Sequence, residues 1–297
     1  MKEQKFSREK RTSTRKAVFR FLKNNPLALF GTAVILVSVF LSVTVPFLPI
    51  QDPIHQDLPN RLKPPNLQHI FGTDNYGRDV FSRVIWGGRI SLLVGIFSVA
   101  IGSLIGVTLG IISGYFRKYV DVGIMRITDI LLSFPALLLA MAICAAIGSS
   151  LWNVIIAISV VTVPRFSRLV RGSTLAVKEA DFVEAARALG QNPVKIILFH
   201  VFPNVLSPIL VLATLWIPAA IITEASLSFL GLGIMPPTPT WGNIISEGKS
   251  YLPNAPWISI FSGVSIVLVV MAFNFVGDAV RDAFDPRLKG EREVGRG

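Results

Sequence analysis

Long apolar runs alternate with short polar islands along this chain, and the runs have the length of membrane spans. A helix needs about 20 apolar residues to cross the hydrocarbon of a bilayer. Runs of this kind lie at 26–50, 90–114, 200–222 and 258–278. Another, 130–164, holds no charge over 35 residues, too long for one upright span and short for two. Gly148-Ser149-Ser150 offers a turn within it. The division gives a span at about 120–147 and one at about 151–170, which Pro164 is expected to kink. The first takes Arg126 and Asp129 into one membrane end. These are three residues apart and are expected to pair, since a lone charge at a span's centre costs about 2.5–3.5 kcal/mol. The pattern predicts an all-α membrane protein with six transmembrane helices.

Two spans carry further patterning. In 90–116, Ser98, Gly102, Gly106, Gly110 and Gly114 recur at every fourth position. On a helix they form one ridge of small residues, a seam that another transmembrane helix can approach closely, with a second subunit as the suggested partner. The span at 200–222 holds Pro203, Pro208 and Pro218. Prolines free backbone carbonyls that neighbours or a water-filled path must satisfy, so the three are candidate pathway residues.

The polar islands separate by character. Residues 51–88 run through a proline-rich stretch into FGTDNYGRDVFSRVIWGGRISL. Asp74, Arg78, Asp79 and Arg83 are spaced to pair on one or two turns. A surface helix held by local ion pairs is the simpler expectation, with a direct substrate role as the alternative. Residues 223–257 read as a polar loop rich in Gly and Pro. Its Gly242…Gly248-Lys249-Ser250 imitates a phosphate loop, but five residues separate the glycines instead of four and no strand precedes them. Nucleotide binding there is excluded.

The island at 171–199 contains a short helix. Asp181 is positioned as its N-cap, with Glu184 three residues on to complete a capping box. Phe182, Ala185, Ala186 and Leu189 share one face, Gly190 supplies a left-handed stop, and Pro193 prevents the helix from resuming. Two turns cannot hold themselves together in water, so the apolar face needs a partner. The pattern leaves docking on another protein and local packing both open.

Composition narrows the class. The chain is 52% hydrophobic and only 16% charged, with its charges segregated. Its formal net charge of +11 raises the question of nucleic acid, and the placement of the cations answers it. With six spans and an interior N-terminus, 23 of the 29 Lys and Arg fall in the tail at 1–25 and the other interior segments. Both termini are then cytoplasmic, the chain ending in a tail at 282–297, and 51–88 is extracytoplasmic. Counting 130–164 as one span would put the segment 165–199, with its six cations, outside. The run at 26–50 is too long for a signal peptide and lacks a small-residue cleavage site. Cys144 is the sole cysteine, and His55, His69 and His200 have no ligand spacing, so no metal site is expected.

Glu184-Ala185-Ala186, Gly190 and Pro203 stand in the register of the cytoplasmic loop of bacterial ABC importer permeases. His200 and Phe202 replace the Ile and Leu usual there, and with the Gly-Arg-Asp at 77–79 and EASLSFLGLGIMPPTPTWGNIISEG they resemble the dipeptide/oligopeptide/nickel branch, its second, C-type subunit. The resemblance implies a type I importer permease fold with a core at 89–281, its cytoplasmic coupling helix docking on an ATPase through Asp181, Phe182, Glu184, Ala185, Ala186, Leu189 and Gly190. It further implies a second permease, two ATPase subunits that bind ATP and Mg, and an extracytoplasmic substrate-binding protein, with no cofactor on this chain and no catalysis by it alone. Peptide is the favoured cargo and nickel the alternative, since Met141, Cys144 and His200 form no ligand set. An ion-coupled secondary transporter is a weaker reading, because it calls for ionisable groups at mid-membrane.

Overall fold

Asn25 opens the described part of the chain by accepting a hydrogen bond from the Ala28 amide, and Pro26 takes the first helical position. The computed structural model describes residues 25–116 and 118–284. The tails at 1–24 and 285–297 lie outside the described residues. In order the helices are α1 (Pro26–Thr44), α2 (Val80–Phe116), α3 (Lys118–Ser133), α4 (Ala136–Ile147), α5 (Leu151–Lys178), α6 (Asp181–Ala188), α7 (Pro193–Ile196), α8 (Phe202–Phe229), α9 (Trp241–Gly248) and α10 (Trp257–Phe284). The only extended pairing among the described residues is one bridge between Thr73 and Asp79.

Five helical segments are long and apolar enough to cross a bilayer: α1 with its following turn, α2, α5, Pro193–Phe229 and α10. The sixth candidate is the pair α3 and α4, which meet at 94°. A single straight span at about 120–147 is therefore not what the chain forms. Pro135 lacks an amide hydrogen and disfavours a helical Phe134 before it, so the helix stops and restarts. The turn at 148–150 does form. Gly148 takes φ +90°, and the Ser150 hydroxyl caps α5 by accepting from the Asn153 amide.

Several helices outrun the bilayer. At 37 residues, α2 is about 55 Å long by 1.5 Å per residue, and it starts at Val80 instead of near 90. Similarly, α5 continues to Lys178 and α8 to Phe229, so the outer loop expected from 223 starts later and holds α9. Tertiary packing supports these extensions, which a hydropathy count alone ends at the first charge.

The small-residue ridge packs inside the chain, against α5. A Cβ added at Gly106 would lie 2.6 Å from the Val163 carbonyl oxygen and 2.7 Å from the Phe166 Cβ. Gly110 meets the Ser167 carbonyl and Val170, while Gly102 faces Ser159 and Thr162, and Gly114 faces Arg171 and Thr174. The Ser159 hydroxyl donates to the Ser98 carbonyl at 3.1 Å. No second subunit is needed to explain the ridge.

At the end of the bundle remote from α6, the 51–79 segment folds over the helices. Phe71 stacks on Phe261 at 3.9 Å, and the Trp257 indole donates to the Thr73 carbonyl at 3.1 Å. The Trp241 indole of α9 donates to the Val84 carbonyl at 3.0 Å.

Candidate functional site

The island between α5 and α8 is built from local rules, with one departure from the expected cap. Ala180, in extended conformation, is the N-cap of α6, and its carbonyl accepts from the Val183 and Glu184 amides. Asp181 already lies inside the first turn, so the Asp181–Glu184 capping box does not form. The turn that ends α5, with the Ala180 amide bonded to the Val177 carbonyl, starts α6 one residue early. Asp181 and Glu184 act instead as charges near the positive end of the helix dipole.

The other end follows a complete Schellman arrangement. Gly190 takes φ +74°, its amide bonds the Arg187 carbonyl at 3.0 Å, and the Gln191 amide bonds Ala186 at 3.1 Å. The Asn192 side chain then caps α7. A π turn at Ile197–Val201 leads into α8, where Pro203 cannot donate to a preceding carbonyl. His200 Nε2 reaches Gln191 Oε1 at 3.0 Å and ties this turn back to the exit of α6.

The apolar residues of α6 divide into two faces. Val183, which the sequence pattern did not single out, is fully buried with Ala186 against the chain. Phe182, Ala185 and Leu189 turn away from it, Leu189 being 88% exposed. Val194, Leu198 and Phe199 are exposed as well. The result is an apolar surface on a polar connection, anchored from beneath and left largely open above by the described residues, with the His200 ring 6.4 Å from that of Phe182.

The three prolines of the next span have separate surroundings. Pro203 is exposed in the first turn of α8 and Pro218 is buried. Pro208 lines an open recess of about 360 Å³ with Ser207, Val211, Leu215, Leu169 and Arg281.

The opposite end holds charges in a different setting. Asp74, Arg78, Asp79 and Arg83 are all buried, which corrects the expectation of a surface helix. Asp74 accepts from the Tyr76 and Arg78 amides and from the guanidinium groups of Arg78, at 2.6 Å, and Arg83. Glu247 of α9 bridges the same two arginines, so two carboxylates face two guanidinium groups. Asp79 pairs with His69 at 3.0 Å and accepts from the Ser82 amide. Local spacing could not reveal Glu247, more than 160 residues away. Glu224 was missed too. It is fully buried in α8 and accepts from the Ser91 and Ser228 hydroxyls, both at 2.8 Å. An acidic residue inside an apolar, serine-flanked run was the available signal.

Ion pairs also tie α3 to α5. Asp129 pairs with Arg168 at 2.6 Å and not with Arg126, its neighbour in sequence. Arg171 forms a two-pronged contact with Asp121, each N–O distance being 2.6 Å. No cluster of three metal-ligating side chains occurs among the described residues.

Residues 106–290 match the family described as binding-protein-dependent transport system inner membrane component. Residues 13–65 match the N-terminal transmembrane domain of oligopeptide transport permease C. The dipeptide transport system permease protein DppC of Alkalihalophilus pseudofirmus is 45% identical over 271 residues, 91% of this chain and 89% of its own length. The glutathione transport system permease protein GsiD of Pectobacterium atrosepticum is 42% identical, covering 94% of this chain and 93% of that one. Among solved structures, the inward-facing MetNI methionine ABC transporter superimposes with TM-score 0.58 at 20% identity, over 69% of this chain and 98% of that chain. That likeness speaks for the fold, which is that of a type I importer permease. The chain belongs to the binding-protein-dependent transport permeases, the membrane components of ABC importers, in their peptide branch.

Proposed function

We propose that this chain is one of two permease subunits of an ATP-driven importer of di- and oligopeptides in a bacterial inner membrane, with both termini in the cytoplasm. The observation that carries the reading is α6, a two-turn helix between two spans whose outer apolar face is left largely uncovered by the described residues. Exposed Phe182, Ala185 and Leu189 fit a groove on an ATPase subunit, and buried Val183 and Ala186 transmit its movement to the spans. Each permease of the pair would dock one ATPase, and those ATPases would hold the ATP and Mg. This chain binds no cofactor of its own and no nucleic acid. A substrate-binding protein would deliver cargo to the face built from 51–79 and α9. Closure of the ATPases would draw the two α6 helices together and rock the spans to face outward. The named functions of the dipeptide and glutathione relatives favour peptide over nickel as cargo.

Uptake in a strain lacking the chain tests this, with labelled dipeptides, oligopeptides and nickel offered separately. Restoration of peptide uptake by the plasmid-borne gene is expected, and restoration of nickel uptake alone would overturn the cargo. Sidedness is checked by single cysteines at Ser149 and Asn192, which should label from opposite faces of the membrane.

A further inference from the structure

Arg165 is a cation far inside a membrane-spanning helix. As the fifteenth residue of α5, it lies about 21 Å from the start of that helix, at 1.5 Å per residue. With the span opening at Leu151 and a hydrocarbon layer about 30 Å thick, Arg165 falls toward its cytoplasmic end. Its neighbours on α5 are neutralised by carboxylates, Arg168 by Asp129 and Arg171 by Asp121. Among the described residues no carboxylate pairs with Arg165. Its guanidinium lies over the Trp216 ring of α8, 4.4 Å from the centroid.

That stacking leaves the cation open for further chemistry. An aromatic face holds guanidinium through its π cloud, whereas carboxylates bind the N–H groups at the guanidinium edge. Trp216 thus fixes the plane of Arg165 without occupying the fork that accepts a carboxylate in two-pronged fashion. Arg165 is also exposed, and the exposure continues along one side of the helix. Arg168, Gly172 and Ala176 are exposed at offsets 3, 7 and 11 from it, a single stripe running toward α6. The seam with α2 uses other residues of α5, among them Val163, Phe166, Ser167 and Val170. Charged side chains in spans face a protein interior or a water-filled cavity, since acyl chains cannot solvate them.

We propose that this stripe lines the inner half of the translocation path and that Arg165 takes the C-terminal carboxylate of the passing peptide. The proposal rests on the peptide-importer reading. Trp216 positions the guanidinium, Arg168 stays engaged with Asp129, and small Gly172 and Ala176 leave room for the peptide backbone below. One two-pronged contact holds the cargo in register without a closed set of ligands, which suits peptides of varied sequence.

The test uses the full assembly of permeases, ATPases and binding protein in proteoliposomes. With Arg165→Gln, the maximal rate of labelled Ala-Ala import should fall at least tenfold. The half-saturating concentration, set by capture on the binding protein, and ATP hydrolysis without substrate should stay unchanged. Arg165→Lys should import at a rate between those of wild type and Arg165→Gln, because the charge remains while the planar fork and its stack on Trp216 are lost. Import by Arg165→Gln at the wild-type rate overturns the proposal. A second measurement keeps Arg165 in place. A cysteine at Gly172→Cys lies about 10 Å further along the helix. In a background carrying Cys144→Ser, its labelling from the ATPase side should be slowed by penta-alanine and not by penta-alanine amide. Equal slowing by acid and amide, or by neither, overturns the proposal. Failure of the wild-type assembly to import any peptide would instead defeat the peptide reading itself.

Discussion

The two ends of this molecule treat their conspicuous residues in opposite ways. Around Asp74, two arginines and two carboxylates face one another, Asp74, Arg78 and Arg83 buried and Glu247 half-buried, so that end pairs its charges within the chain. Around α6, apolar side chains that water disfavours are left uncovered. Burying charge is costly unless every partner is present, and the hydrogen bonds to Asp74 show the partners supplied. Exposing a contiguous apolar patch marks an interaction site. The first end therefore holds the chain's own architecture, and the second is the end that, in the proposed function, another protein completes. Damage at the first should appear as lost folding, and at the second as lost assembly with the fold intact.

The largest effect should come from Arg83→Met. It leaves Asp74 and Glu247 to share Arg78, a buried excess of one negative charge. Breaking a buried pair in this way costs about 3–5 kcal/mol. Thermal unfolding of the purified permease should show a markedly lower midpoint, with little protein recovered from membranes. A normal midpoint would mean that the cluster is solvated, and the contrast between the ends would fail.

Gly106→Leu comes next, at the seam joining α2 to α5. The added side chain meets backbone at 2.6 Å, which cannot rotate away as a side-chain tip can. Overpacking of this kind costs about 1–3 kcal/mol, or more where helices must separate. Gly123→Leu is the control, because nothing lies within 4 Å of its would-be Cβ. Equal recovery of both variants in a fluorescence-detected sizing experiment would argue against a tight seam.

The seam shows why some of the fold could be read directly and some could not. Glycines at 102, 106, 110 and 114 declare a close helix approach through spacing alone, but nothing in the spacing names α5 as the partner. The Gly190 stop was legible because a left-handed helix end is a local event. The N-cap was not, since Asp181 met the local rule and was displaced by the path of the chain leaving α5. The Asp74 cluster failed for a further reason. Glu247 completes it from the far side of the fold, and local spacing implies only local pairs. Arg126 and Asp129 repeat that lesson, because Asp129 turns to Arg168 on another helix.

Gly190→Val probes the unfinished end. Nothing crowds position 190, so the penalty comes from φ +74° alone. A side chain in left-handed geometry costs about 1–2 kcal/mol, more for a β-branched one. The spans should insert and the unfolding midpoint should change little. The turn after Leu189 should reorganise and tilt the exposed face of α6. Co-purification of the ATPase subunits should then fall sharply and uptake should be lost. Retained docking and transport would make α6 a passive connector.

The smallest effect separates two accounts of the acidic residues at the start of α6. If Asp181 were the cap of a capping box, Asp181→Ala would remove a short hydrogen bond at a cost of about 1 kcal/mol, largely independent of salt. In the structure Ala180 occupies that position, and both carboxylates act through charge near the helix N-terminus. Their contribution to holding α6 in register is then about 0.3–1 kcal/mol each, and it is screened by ions. Asp181→Ala and Glu184→Ala should therefore weaken ATPase binding by a similar small factor, about two- to fivefold at 50 mM salt. At 500 mM salt the difference from wild type should nearly vanish. Titrating the ATPase subunit onto the permease in nanodiscs at both salt concentrations measures this. A loss confined to Asp181→Ala and unchanged by salt would restore the cap, and α6 would have to begin one residue later once its partner is bound.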